Sequence, residues 1–167
     1  MVAGSLAEAL IAGSISARIW QREVRVGFEI DASTQFGAEV VKRIEQQKLA
    51  WLTTVDSTGI PQPNPVWFIW DDGSFIIFSR PNQAKLANIA RSARVSLNLE
   101  ATEDEEQITI FTGHAEIVDR ESIPREIFDR YAAKYAQGMI NIKLPRAEYE
   151  QTYTVPIRVT PEKLRGW

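Results

Sequence analysis

The sequence predicts a mainly β domain of the α+β class, in which an antiparallel sheet closes into a barrel with flanking helices. Short β-branched and aromatic runs are separated by clusters of turn residues, as in the segment 50–79. An Asp-Gly step at Asp72-Gly73 stands between two apolar runs, which is a strong hairpin signal. Because most strands are joined by short links, the sheet is expected to be antiparallel and barrel-like. No Gly-x-Gly-x-x-Gly or Walker loop indicates a parallel nucleotide-binding sheet.

Composition narrows the class of protein further. The 167 residues, 44% hydrophobic and 25% charged, are typical of one globular domain. The net charge of −3 counts against nucleic-acid binding, which favours a basic face. The chain has no cysteine, which excludes disulfides, and no apolar run approaches the ~20 residues of a membrane-spanning helix. A cytoplasmic location is expected.

The pattern divides the chain into an N-terminal extension, residues 1–32, which is helical or mobile, and a barrel domain, residues 33–167. A helix is predicted to begin after Ser33 or Thr34, since either can cap it. Its apolar residues recur every four positions: Phe36, Val40 and Ile44. A short helix is also expected over Lys85–Arg91.

Strands and loops account for most of the remaining chain. Gly113 within the 107–118 strand suggests a bulge, and Pro124 is expected to open a helix that runs to about Tyr135. The prolines at 61, 63 and 65 indicate an edge strand, and residues 138–150 carry no clear pattern. The acidic run 103–106 is expected to be a solvated loop. The predicted strands are 50–55, 61–70, 74–79, 95–100, 107–118 and 153–159, the last ended by Thr160-Pro161.

Most catalytic constellations are absent from the sequence. His114 is the single histidine and no cysteine accompanies it, so the ligand set for a transition metal is poor. A serine triad has no nucleophile-elbow motif to support it. Asp71 and Asp72 form a carboxylate pair, but their place in a turn explains them. No metal site and no catalytic side chain is predicted.

The segment Phe78–Lys85 is the strongest candidate for a binding site. Ser79 ends a strand and Lys85 lies near the start of a short helix, where a hydroxyl, an ammonium and free N–H groups together suit a phosphate. Arg80 supplies a second cation. The alternative is that Ser79 and Asn82 cap the helix while both cations are solvated, and the segment taken alone favours this alternative.

Residues 51–100 carry a series of motifs in a characteristic order. An "LTTV" strand and a Gly-x-Pro turn precede a strand rich in Pro and Trp; an Asp-Gly turn, a strand ending in Ser, a lysine six residues later and a "VSLNL" strand follow. Gly113–Ile117 and the ending Val159–Trp167 continue the likeness. The chain, over roughly residues 36–167, resembles the pyridoxamine 5′-phosphate oxidase-like split β-barrel superfamily. It is most similar to the small coenzyme F-420 (deazaflavin)-dependent oxidoreductases.

The resemblance implies an FMN-binding type of split barrel and a homodimer with a cofactor in each of two interface grooves. The cofactor is coenzyme F-420 or FMN, and the implied activity is hydride transfer to or from a small conjugated organic substrate. Ser79 and Lys85 fall where the family contacts the cofactor phosphate. The full set of cofactor-binding residues predicted in this way is Pro63, Asn64, Pro65, Val66, Trp67, Phe78, Ser79, Arg80, Lys85, Asn88 and Trp167.

Departures from the pattern keep several alternatives open. Ala84 replaces the first member of an Arg-Lys pair found in true pyridoxamine phosphate oxidases, so oxidation of that vitamer is not expected. A flavin-binding protein without turnover, a haem-binding protein that uses His114 and an oligonucleotide-binding barrel remain alternatives. The aromatic strip suits ring stacking, but barrel core and dimer interface are the favoured interpretation; it comprises Trp67, Phe68, Trp70, Phe75 and Phe78.

Overall fold

The structure is a computed structural model that describes residues 27–101 and 107–166. The expectations for residues 1–26, for the acidic run 103–106 and for Trp167 lie outside these ranges. Within the described residues, no helix is both long and apolar enough to cross a membrane.

Seven strands and five helices form the described part of the chain. The strands are β1 (Ala50–Val55), β2 (Pro61–Val66), β3 (Ile69–Asp71), β4 (Ser74–Ser79), β5 (Arg94–Leu99), β6 (Thr109–Ile117) and β7 (Val155–Gly166). The helices are α1 (Gln35–Gln46), α2 (Ala84–Arg91), α3 (Arg125–Lys134), α4 (Ala136–Asn141) and α5 (Arg146–Thr152), with a 3-10 turn over Arg120–Ser122.

The strands form one antiparallel sheet in the order β2-β1-β5-β6-β7-β4-β3. β2 and β3 lie at opposite edges of this order, yet only Trp67 and Phe68 separate them in the chain. Because consecutive Cα atoms are about 3.8 Å apart, the two edges must come close together. The sheet is therefore curled into a half-barrel with an open seam, which confirms the predicted fold and places the proline-rich β2 at an edge.

The predicted hairpin is present between β3 and β4. Asp71 pairs with Ser74, and the turn residues Asp72 and Gly73 have φ of 43° and 71°. Two successive positive φ angles are the signature of a type I′ turn, which matches the twist of the strands. The long strand predicted over 61–70 is divided at Trp67-Phe68, since the chain crosses the seam there.

Two hydrophobic clusters pack against opposite faces of β4. Phe75 and Ile77 belong to the barrel interior, whereas Ile76 and Phe78 belong to a cluster beneath α3, α4 and α5. All six residues of β4 are therefore buried. Residues 138–150, which carry no clear sequence pattern, lie in this helical layer. The helical layer and the barrel thus meet across a single strand.

The last strand is longer than predicted. Thr160-Pro161 was expected to end it, but β7 continues to Gly166. Pro161 pairs with Gly113, and the register between β6 and β7 shifts at that point. A proline is tolerated at such a bulge because the ladder is already irregular there. A Cβ on Gly113 would lie 2.1 Å from the Thr160 carbonyl oxygen, so the predicted bulge at Gly113 is confirmed.

Lysines join the C-terminal ends of α1 and α3. Thr34 caps the start of α1 as expected by accepting a hydrogen bond from the Gly37 N–H. At the other end, the Lys134 ammonium donates to the Ile44 carbonyl oxygen at 3.0 Å, and Lys48 donates to the Lys134 carbonyl oxygen at 2.7 Å. Each lysine thus satisfies a carbonyl at or near the end of the other lysine's helix.

The buried position of Lys134 predicts a pH-dependent stability. Burial, with a smaller effect of Lys48, lowers the pKa of Lys134 from 10.5 to about 8. Between these values the unfolded chain holds more protons than the folded one, so this lysine's contribution to the free energy of unfolding rises with pH. We expect the free energy of unfolding of wild type, measured in urea and taken relative to that of Lys134→Met, to rise between pH 7.5 and pH 9.5. A constant difference would contradict the lowered pKa.

Candidate functional site

A cleft of about 510 Å³ opens beside the barrel seam. The end of β2 and the residue after it form one wall, and the end of β4 and the start of α2 form another. The volume lies within the range of ~300–1,000 Å³ that is typical of small-molecule sites. The lining residues are Leu49, Pro65, Val66, Trp67, Ile77, Phe78, Ser79, Arg80, Gln83, Lys85, Ile142, Tyr149 and Tyr153.

Most of the predicted cofactor-binding residues that are described meet in this cleft. Those that line it are Pro65, Val66, Trp67, Phe78, Ser79, Arg80 and Lys85. Pro63 and Asn64 lie on β2 outside the lining set, and the Asn64 amide donates to the Gln62 carbonyl oxygen. The fold thus brings the end of β2 and the segment Phe78–Lys85 into one cleft.

Asn88 is placed away from the cleft. Its side chain is 5% exposed, and its amide donates to the Thr54 hydroxyl at 3.0 Å. Its amide oxygen accepts a hydrogen bond from Arg91 at 3.3 Å. The hydrogen bond to Thr54 links α2 to β1. A buried amide needs such partners within the protein, because water cannot reach it.

Lys85 is the most distinctive charged group in the cleft. Its ammonium is half-buried, burial lowers its pKa, and no carboxylate of the described residues pairs with it. The residue lies in the first turn of α2, where Gln83 makes no side-chain cap. A half-buried cation at the start of a helix that has no side-chain cap is an arrangement that favours an anion.

Ser79 is less available than the sequence suggests. Its side chain is 2% exposed, and its hydroxyl donates to the Arg80 carbonyl oxygen at 3.0 Å. The hydroxyl must rotate before it can donate to a ligand, although its oxygen remains able to accept. Arg80, in contrast, has an exposed side chain and no carboxylate partner among the described residues.

The aromatic wall of the cleft is largely a feature that sequence reasoning missed. Trp67 stacks on Tyr135 with ring centroids 4.5 Å apart and planes 3° apart, and on Tyr149 at 5.6 Å and 12°. Tyr149 in turn stacks on Tyr153 at 4.1 Å and 6°. The i,i+4 spacing of Tyr149 and Tyr153 places both on one helical face, and this spacing was the available signal.

Within the described part of the chain, no carboxylate lines the cleft. Its titratable side chains are Arg80, Lys85, Tyr149 and Tyr153. Burial raises the pKa of Tyr149, whose hydroxyl shares a 2.7 Å hydrogen bond with the hydroxyl of Tyr131. Tyr149 is therefore neutral at ordinary pH, and the electrostatic character of the cleft comes from its two cations.

His114 lies elsewhere, on β6. Its Nδ1 is 3.2 Å from a carboxylate oxygen of Glu162, and Arg94 contacts the same carboxylate at 2.7 Å. The imidazole side chain is 44% exposed. The histidine thus contacts a surface carboxylate shared with Arg94 and does not line the cleft.

A curled antiparallel sheet with an open seam defines a split barrel, and comparison with known proteins identifies the family. The profile of the pyridoxamine 5′-phosphate oxidase family matches residues 36–167. The chain belongs to this family. No curated protein matches the chain significantly.

Solved structures of the same fold include proteins described by three different cofactors. The haem storage protein HutZ of Vibrio cholerae is 17% identical with a TM-score of 0.63, over 79% of this chain and 94% of that one. An F420 reductase is 22% identical with a TM-score of 0.58, over 74% and 94%. A FAD-binding protein of Mesorhizobium loti is 16% identical with a TM-score of 0.57, over 77% and 90%. At these identities the likeness shows the fold alone.

Proposed function

We propose that the protein is an oxidoreductase that binds coenzyme F-420 or FMN in the cleft at the seam. The observation that carries this proposal is the half-buried ammonium of Lys85, which has no carboxylate partner among the described residues and lines one cleft with Arg80 and a wall of stacked rings. Membership of the pyridoxamine 5′-phosphate oxidase family supports it. When bound, such a cofactor supplies the two-electron chemistry, and the protein supplies binding, orientation and electrostatics.

The residues of the cleft suit the two ends of such a cofactor. Lys85 and Arg80 offer positive charge for the phosphate, and the N–H groups at the start of α2 add donors. Trp67 and the backbone of Pro65 and Val66 line the part of the cleft suited to a flat ring. The apolar lining also excludes water from one side of that ring.

Proton transfer is expected to involve solvent. No carboxylate of the described residues lines the cleft, and the pKa of Tyr149 is raised by burial, which makes its phenol a poor acid. The protein's own contribution is thus to place the ring and to leave one face open to a small conjugated substrate.

A homodimer is part of the proposal. Trp51 on β1 is 40% exposed and pairs directly with Pro65, which lines the cleft. A second copy that covered Trp51 would therefore lie next to the cleft and extend its wall. Light scattering coupled to gel filtration tests this, and a monomeric mass at micromolar concentration would contradict it.

Direct titration tests the proposed function. The purified protein is titrated with FMN, coenzyme F-420, riboflavin and haem, while ligand fluorescence or absorbance is recorded. We expect saturable binding of FMN or coenzyme F-420 at one site per chain and much weaker binding of riboflavin, which lacks the phosphate. Binding of haem alone, lost in a His114→Ala variant, would replace the proposal by the haem-binding alternative.

A further inference from the structure

Arg80 is held over the ring of a tyrosine that the sequence did not indicate. Its guanidinium carbon lies 5.1 Å from the centroid of the Tyr153 ring. The Arg80 side chain is exposed, and no carboxylate of the described residues fixes it. An exposed arginine without such support would sample many rotamers, and a cation–π contact restricts them.

Tyr153 is itself fixed by the stack of rings behind it. Its ring is 4.1 Å from that of Tyr149 and nearly parallel to it, and Tyr149 stacks in turn on Trp67. The hydroxyl of Tyr149 is tied to that of Tyr131, which is fully buried. The stacked rings beneath Arg80 are therefore continuous with the hydrophobic core. Tyr149 lies in α5 and Tyr153 directly follows this helix.

Arg80 and Lys85 reach the same cleft from two different elements. Arg80 follows β4, Lys85 lies in α2, and the turn between them contains Asn82 with a φ of 59°. Two like charges that line one cleft repel each other unless an anion lies between them. The charge of Arg80 also acts on the cleft wall, since it opposes the rise in the pKa of Tyr149. A phosphate is the complement of this pair.

We infer that Tyr153 is a positioning residue, which holds the Arg80 guanidinium beside Lys85 so that the two cations together bind the phosphate of the ligand. The inference rests on the proposed function and adds to it a source of selectivity for phosphorylated ligands. The Tyr153 ring acts through Arg80, so its effect depends on whether the ligand carries a phosphate.

The test compares Tyr153→Leu, which removes the ring, with Tyr153→Phe, which keeps it. We expect Tyr153→Leu to weaken FMN binding about 5- to 10-fold and riboflavin binding less than about 2-fold, with Tyr153→Phe close to wild type. The FMN affinity of Tyr153→Leu should also depend less on salt. An equal loss for FMN and riboflavin would overturn the inference, because Tyr153 would then act as a ring wall.

A second variant guards against misfolding of Tyr153→Leu. Arg80→Ala should reproduce the selective loss of FMN, and the double variant Arg80→Ala/Tyr153→Leu should lose no more than Arg80→Ala alone. Additive losses would show that the two residues act independently and would overturn the inference.

The inference can fail separately from the proposed function. If wild type binds neither FMN nor coenzyme F-420, the proposed function fails, and calorimetry with inorganic pyrophosphate then tests Tyr153 alone. Weaker pyrophosphate binding by Tyr153→Leu than by Tyr153→Phe would support the inference. Equal binding, or none by wild type, would overturn it.

Discussion

The variant Lys85→Ala should bind FMN or coenzyme F-420 about 10- to 100-fold more weakly than wild type, because one hydrogen bond to a charged group contributes about 1.5–3 kcal/mol. The ammonium is half-buried and has no carboxylate partner among the described residues, so the ligand phosphate replaces no internal ion pair. Equilibrium titration followed by fluorescence measures the change in dissociation constant. Riboflavin should bind wild type and variant alike.

Lys42→Ala is the matched control for Lys85→Ala. Lys42 lies on α1, is 60% exposed, pairs with Glu39 at 3.8 Å and does not line the cleft. This variant removes the same charge without touching the cleft and should leave both affinities unchanged. An equal loss in both variants would show that net charge, and not Lys85, governs binding.

The variant Tyr135→Phe should lose about 2–4 kcal/mol of unfolding free energy, because two buried backbone groups lose their partner and each costs about 1–3 kcal/mol. The Tyr135 hydroxyl accepts from the Phe68 N–H and donates to the Phe68 carbonyl oxygen, both at 2.8 Å. Phe68 lies between β2 and β3, where no neighbouring strand satisfies its backbone. Urea unfolding measures the loss.

Tyr153→Phe is the control for Tyr135→Phe. It removes a hydroxyl from a residue of the same aromatic stack that is only partly buried, so its stability should stay within about 0.5 kcal/mol of wild type. If Tyr135→Phe changed stability no more than Tyr153→Phe, water rather than Tyr135 would be the partner of Phe68.

Local chemistry explains which parts of the fold were predictable from the sequence. The Asp72-Gly73 turn and the Thr34 cap each depend on residues close in the chain, and both are confirmed. The extent of β7 depends on a partner some fifty residues away, because the bulge in β6 is what accommodates Pro161. A break predicted from proline alone was therefore wrong.

The same distinction between local and long-range contacts separates the predictable from the unpredictable residues of the candidate site. Its charged segment, Ser79 to Lys85, is contiguous in the chain and was recognised from the order of its residue types. Tyr149 lies in α5 and Tyr153 directly follows it, in a stretch whose sequence pattern is weak, and only the tertiary packing brings both rings to the cleft. Asn88 lies on α2, as the resemblance implies, but its amide donates a hydrogen bond to Thr54 and the residue does not line the cleft.

The position of β7 in the sheet has a consequence for synthesis on the ribosome. β7 joins β6 to β4, so until residues 155–166 have been made, β1, β2, β5 and β6 cannot be linked to β3 and β4 by any sheet hydrogen bond. The nascent chain is then two separate sheets with unpaired edges, which are prone to association with other chains. Long-range closure by the last strand is also slow. The interval before β7 emerges is thus the period in which this protein most depends on protection from aggregation.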